Sequence, residues 1–198
     1  MQLYWAPRSR SLRIVWLLEE IGRPYERIAV DIRSGLQTDP AFLKLNPMGK
    51  VPVLVDGEAV VSESGAIAAY LGDRFPEAGL APPVGDPRRG AYLKWLFFSG
   101  NCIEASFAEK FGNLQLPYTA AGWGSFERVV DVLEQAVDDG SWLLGDQFTV
   151  ADVIIGADLN FGMNAFKLIE PRPALTAYVD RCLARPAFER AQAIDAAG

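Results

Sequence analysis

Histidine is absent from this chain of 198 residues, and cysteine occurs only twice, at Cys102 and Cys182. Without histidine there is no Ser-His-Asp or Cys-His pairing for nucleophilic catalysis, and the commonest transition-metal ligand is missing. The cysteines lie far apart with no CxxC spacing, so they mark neither a zinc site nor a dithiol redox centre. Both read as small buried hydrophobes in a reduced, cytoplasmic setting. Long apolar runs are also lacking. None reaches the roughly 18 residues of a transmembrane helix, and Met1-Gln2-Leu3-Tyr4-Trp5 does not open a signal peptide, which needs a charged stretch followed by a long apolar one. Positive charge is in deficit: 19 Lys and Arg against 25 Asp and Glu give a net charge of −6. That balance argues against nucleic-acid and anionic-membrane partners. Arg8, Arg10 and Arg13 form a local exception.

Half of the residues are hydrophobic, enough for one large domain or two small ones with a substantial core. Leu3-Tyr4-Trp5 reads as a short buried strand, broken by Ala6-Pro7-Arg8-Ser9-Arg10. Ser11 to Ile21 then reads as a helix, because Ile14, Leu17, Leu18 and Ile21 share one face. Gly22 suits its C′ position, with Pro24 just beyond. Tyr25 to Asp31 is a predicted strand, Asp39 to Leu45 a short helix, and Val53-Leu54-Val55, Asp56-Gly57, Ala59-Val60-Val61 a hairpin. Ser64 to Arg74 is helical again. The order β-α-β-α-β-β-α fills residues 1–75.

Residues 76–87, with Pro76, Pro82, Pro83 and Pro87, read as a linker. Residues 88–198 then read as helical throughout. One long helix is expected from Arg88 to about Gly112, a second over Ala120 to Asp139, a third opening at Thr149, and two more over Pro173–Ala184 and Pro186–Ala196, each with Pro near its start. Thr149 and Asp152 have the spacing of a capping-box variant, flanked by Phe148 and Val153 at the hydrophobic-staple positions.

The run Asn46-Pro47-Met48-Gly49-Lys50-Val51-Pro52-Val53-Leu54, followed by Glu63-Ser64-Gly65-Ala66-Ile67, carries chemistry. An X-Pro bond opens a strand, and a Glu-Ser pair precedes a helix. This layout offers backbone groups to a peptide-like ligand and a helix N-terminus to a carboxylate. Taken with Tyr4-x-x-Pro7-x-Ser9-x-x-x-Arg13 and Phe148-Thr149-x-Ala151-Asp152, in this order and spacing, the chain resembles the soluble, bacterial-like glutathione transferases over essentially its full length.

That resemblance implies an α/β plus all-α architecture: a thioredoxin-like N-terminal domain that binds glutathione, then an all-helical domain lining the site of a small hydrophobic electrophile. It also implies a homodimer with glutathione as co-substrate and neither metal nor prosthetic group. Pro52 resembles the family's cis-proline, with Val51 presenting its N–H and C=O to the cysteinyl backbone of glutathione. Glu63 and Ser64 would hold the γ-glutamyl end, and Lys50 would pair with the glycyl carboxylate or remain solvated. The reaction is attack of a thiolate on an electrophile. A free thiol with pKa near 8.5 is only about 3% ionised at pH 7, and lowering that pKa by about two units takes roughly 3 kcal/mol. Ser9, Arg10 and Ser11 stand between the first strand and first helix, where a hydroxyl, a cationic side chain or a backbone N–H can supply it. Ser9 is the first choice as hydroxyl donor, with Ser11 and Arg10 as competitors. Cysteine-using members carry their cysteine where this chain has Arg10. Ser9 or Ser11 could instead simply cap the helix. Tyr92, Phe107, Phe111 and Phe166 either line the electrophile pocket or pack into the core.

Overall fold

The computed structural model describes residues 1–35 and 38–198. Two compact units emerge, one formed by Met1–Ala78 with Arg185–Gly198 and the other by Gly79–Ala184.

The first unit is built on β1 (Gln2–Trp5), α1 (Ser11–Ile21), β2 (Glu26–Ala29), α2 (Pro40–Leu45), β3 (Val53–Asp56), β4 (Ala59–Ser62) and α3 (Ser64–Arg74). The sheet order is β2-β1-β3-β4, with β1 and β2 parallel and the other two pairings antiparallel. Alternation along β1 directs Leu3 to one face and Tyr4 to the other. Leu3, with Ile14, Leu17, Leu54, Ile67 and Leu71, is fully buried. On the Tyr4 side, Val30, Phe42 and Val53 form a second buried cluster with Leu45 and Val51, and the Tyr4 and Phe42 rings lie 6.0 Å apart. The architecture is thioredoxin-like, as the family resemblance implies. α1 ends at Gly22 (φ +71), whose N–H reaches Leu18 C=O at 2.9 Å. β2 is shorter than the expected Tyr25–Asp31 because pairing with β1 stops at Ala29.

The second unit is all-helical: α4 (Arg89–Phe98), α5 (Glu104–Gly112), α6 (Phe126–Val137), α7 (Val150–Asn160) and α8 (Pro173–Leu183). The single long helix expected over Arg88–Gly112 is interrupted by a π-helical turn at Ser99–Ile103, which contains the weak helix formers Ser99 and Gly100. α6 begins six residues later than expected. Gly122 and Gly124 disfavour helix, and Ser125 is the actual N-cap, its Oγ accepting from Arg128 N–H at 3.2 Å. Its apolar face is the one expected, with Val129, Val130, Leu133 and Val137 buried.

The capping box at α7 is present. Asp152 accepts from Thr149 N–H at 2.8 Å, while Thr149 Oγ1 accepts from Ala151 N–H. The carboxylate goes further than a cap: it also accepts from Leu143 N–H at 2.9 Å and Tyr178 hydroxyl at 3.0 Å, and no part of Asp152 is exposed. Burial pushes this carboxyl above its ordinary range, against the pull of those donors. Tyr92 and Phe107 are core residues. Phe111 is largely exposed and meets Phe166 edge-on at 5.1 Å.

The structure departs from sequence order at the C-terminus. α9 (Pro186–Ala197) falls within the stretch 88–198 read as one helical domain, yet it packs on α1 in the first unit. Arg185 grips Glu20 with two bonds of 2.6 and 2.8 Å, Arg190 Nε meets Glu19 at 2.9 Å, and Phe188 stacks edge-on against Trp16 at 5.0 Å. The helical period of this segment was visible; its partners, far upstream, were not. Among the described residues no helix is long and apolar enough to cross a membrane.

Candidate functional site

The strand registers bring the predicted residues to one end of the sheet. Tyr4 pairs with Val53, and Val53 with Ser62, forming a row across three strands. Just beyond that row lie the turn after β1 (Ala6 to Ser11), the two residues before β3 (Val51 and Pro52) and the start of α3 (Glu63 and Ser64).

The turn after β1 is bound internally. Ser9 Oγ lies 2.7 Å from Ala6 C=O, 3.0 Å from Ser11 Oγ and 3.1 Å from Ser11 N–H, and Ser11 Oγ accepts from Ala6 N–H at 3.3 Å. A hydroxyl has one proton. The arrangement that uses both has Ser11 donating to Ser9 and Ser9 donating to Ala6 C=O. Ser9 is only half-buried, whereas Ser11 has no exposed surface. Ser11 Oγ, bonded to Ala6 N–H and to Ser9 Oγ, ties the turn together from behind Ser9. Arg10, half-buried, takes the N-cap position of α1 in helical conformation and makes no side-chain cap bond.

The Val51–Pro52 peptide is cis. Val51 stands outside the β1–β3 ladder, which begins at Val53, so its main chain is not used in sheet pairing. The preceding loop is held by Asn46, which is 3% exposed. Its Nδ2 donates to Lys50 C=O at 2.8 Å, its Oδ1 accepts from Met48 N–H at 3.1 Å, and its C=O accepts from Gly49 N–H at 2.9 Å. Gly49 has φ +62, which a residue with Cβ resists. The Lys50 side chain is exposed.

Glu63 adopts φ +70, ψ 124 without being glycine, a conformation of order 1–3 kcal/mol in cost that tends to cluster at ligand sites. No side chain caps α3, and its first intrahelical bond is Ile67 N–H to Glu63 C=O. The first N–H groups of α3 thus point outward, beside the Ser64 hydroxyl, as in an anion-binding helix terminus. α3 itself is anchored to the hairpin, since Tyr70 hydroxyl and Arg74 Nε both donate to Asp56 Oδ2, at 3.0 and 3.3 Å. Among the described residues no group of three or more His, Cys, Asp or Glu is arranged to hold a metal ion.

Comparison with known proteins reaches both units. Residues 1–73 match the family description "Glutathione S-transferase, N-terminal domain" and residues 117–181 "Glutathione S-transferase, C-terminal domain". Glutathione S-transferase Z2 of Arabidopsis thaliana is 30% identical over 197 residues, covering 95% of this chain and 87% of that protein. The chain belongs to the glutathione transferase family. Among solved structures, a glutathione transferase from Methylococcus capsulatus is 32% identical with a TM-score of 0.83, covering 100% of this chain and 99% of its own. A sphingomonad glutathione S-transferase complexed with glutathione is 30% identical with a TM-score of 0.79, covering 100% of both chains.

For a glutathione transferase the buried Asn46 is an element the sequence shows only as part of a motif. Its side chain shapes the Met48–Lys50 backbone through its bonds to Met48 N–H and Lys50 C=O. Asn46→Ala removes two side-chain bonds inside a buried loop, with an expected loss of about 2 kcal/mol. The check is a lowered urea midpoint together with weaker retention on immobilised glutathione. Unchanged retention at lowered stability would confine Asn46 to a purely structural role.

Proposed function

We propose that the protein is an enzyme that binds glutathione along the sheet end, lowers the pKa of its thiol at the Ala6–Ser11 turn, and delivers the thiolate to a small apolar electrophile. The observation carrying this reading is the row Tyr4–Val53–Ser62. It sets three complementary groups side by side: a hydroxyl-bearing turn for sulfur, an unpaired peptide before β3 for a peptide-like backbone, and an uncapped helix start for a carboxylate.

In this reading Val51 N–H and C=O pair with the cysteinyl residue as a short added strand. Ser64 and the first N–H groups of α3 receive the γ-glutamyl carboxylate, Glu63 accepts from its ammonium group, and Lys50 meets the glycyl carboxylate. Pro52 sets the direction of the Val51 peptide. Ser9 donates to the sulfur by turning its proton away from Ala6 C=O, with Ser11 still donating to Ser9 from behind, and Arg10 adds positive charge at the N-terminus of α1. The chain's own residues suffice for this chemistry, with glutathione as co-substrate and no prosthetic group.

The protein is read as cytoplasmic and as a homodimer. Exposed apolar side chains, Met48 and Val60 in the first unit and Phe97 in the second, are available to a second copy. Light scattering on the purified chain tests the dimer.

The function is tested by retention on immobilised glutathione, then by turnover of a chlorodinitrobenzene-type electrophile. Retention with turnover is expected. Retention without turnover across a panel of electrophiles would favour a binding module instead, and no binding at millimolar glutathione would remove both.

A further inference from the structure

Arg8 has φ +53 although it is not glycine, and it is exposed. The left-handed region is unfavourable for such a residue, and an exposed side chain has little packing with which to hold it there. The Arg8 N–H, however, donates to Asp195 Oδ1 at 2.9 Å, across 187 residues of sequence.

Asp195 sits in the last turn of α9, and α9 is firmly fixed. Both Glu20 bonds from Arg185, the Arg190 bonds to Glu19 Oε2 and to Glu19 C=O, and the Trp16–Phe188 ring contact tie it along α1. The far end of α9 also lies against the strand leading into the turn. A Cβ built on Gly198 would stand 2.9 Å from Trp5 Cη2 and 3.5 Å from Pro7 Cβ. The carboxylate is therefore rigidly placed relative to both α1 and Trp5, the two supports of the turn, and its single main-chain bond falls on the residue just before Ser9. Burial raises the Asp195 carboxyl and the Arg8 N–H draws it back down. A bond to an ionised acceptor is about twice as strong as a neutral one.

We propose that Asp195 is a positioning residue for thiol activation: it latches the Arg8 N–H and so holds the Ala6–Ser11 turn, with Ser9, in the conformation that faces the sulfur. The latch rests on the reading of this turn as the thiol-activating site.

The test compares the full-length wild type with Asp195→Ala and Asp195→Asn by three measurements. These are amide hydrogen exchange over Arg8–Arg10 without glutathione, the pKa of bound glutathione from thiolate absorbance, and Tm. Asp195→Ala is expected to speed exchange at Arg8 about tenfold and to raise the bound thiol pKa by about 0.5–1 unit, lowering kcat/KM near neutral pH by about 3–10-fold. Asp195→Asn keeps an acceptor oxygen and is expected to recover more than half of each shift. A bound thiol pKa that does not move in Asp195→Ala overturns the latch, as does an Asn variant as impaired as the Ala variant. A wild type that binds glutathione without lowering its thiol pKa sinks the thiol-activation reading itself, and with it any purpose for the latch. Failure of the latch alone appears only in a wild type that does lower it.

Discussion

Asp152→Ala is expected to destabilise the helical unit by about 4 kcal/mol, read as a large fall in urea midpoint by circular dichroism. The magnitude follows from what the carboxylate leaves behind. Thr149 N–H, Leu143 N–H and the Tyr178 hydroxyl all point at it in a site with no exposure, and each unsatisfied buried donor costs about 1–3 kcal/mol. Three elements loosen together: the first turn of α7, the Trp142–Asp146 loop and α8. Asp152→Asn retains one acceptor and should lose less than half as much. The pH dependence also has a definite sign. Burial raises the folded pKa above the ordinary 3.8, so the stability contributed by this group is fully present below that ordinary value and declines as pH rises through the folded value. Urea midpoints measured across the acid range should show this slope in the wild type and lose it in Asp152→Asn. A wild-type-like midpoint for Asp152→Ala would mean that the helical unit does not depend on this network.

Ser9→Ala is expected to raise the pKa of enzyme-bound glutathione by about 1–2 units, and so to lower kcat/KM near pH 7 by about 10–100-fold, with glutathione affinity little changed. The reasoning turns on proton supply. The Ser9 proton is 2.7 Å from Ala6 C=O when no sulfur is present, and redirecting it forfeits one neutral bond to gain one with an anion. The exchange is favourable because bonds to charged acceptors contribute about 1.5–3 kcal/mol against about 1 for neutral ones. The buried Ser11 donates to Ser9 from behind. Ser11→Ala should therefore give a smaller pKa rise together with a loss of stability, since Ala6 N–H loses its partner. Arg10→Ala separates hydroxyl donation from cationic stabilisation: a bound thiol pKa that rises in Arg10→Ala and stays put in Ser9→Ala would transfer the role to Arg10.

Elements with a strong period or a turn dipeptide were legible from the residues. The α1 face, the Asp56-Gly57 hairpin, the α7 cap and the β-α-β-α-β-β-α order all have local causes. So did the Val51–Pro52 and Glu63-Ser64 positions, because motif spacing reports on where strands end. What was hidden depended on distant partners. Ser9, Arg10 and Ser11 are three polar residues in a row with no period to tell inward from outward, and only packing beneath the turn buries Ser11 and leaves Ser9 at the surface. Asn46 stands in the sequence only as the first residue of a motif, whereas its buried side chain organises the loop before β3. The start of α6 was misplaced because Ala120 and Ala121 favour helix while the Gly122–Gly124 stretch does not, and Ser125 decides between them. Asp195 carried no signal at all, since nothing in a helical C-terminus announces a bond to residue 8.

The return of α9 to α1 has a consequence for how the chain is made. Glu20 meets Arg185 across a separation of 165 residues, so the first unit is encoded in two pieces with the helical unit between them. During synthesis the sheet and its first three helices emerge early, while the surface of Trp16 that Phe188 covers stays bare until the segment around residue 188 has followed. Such long-range closure slows folding relative to local packing and leaves an apolar face open to wrong partners in the interval. The helical unit, contiguous in sequence, has no such wait. It can complete its own core while the first unit is still waiting for α9.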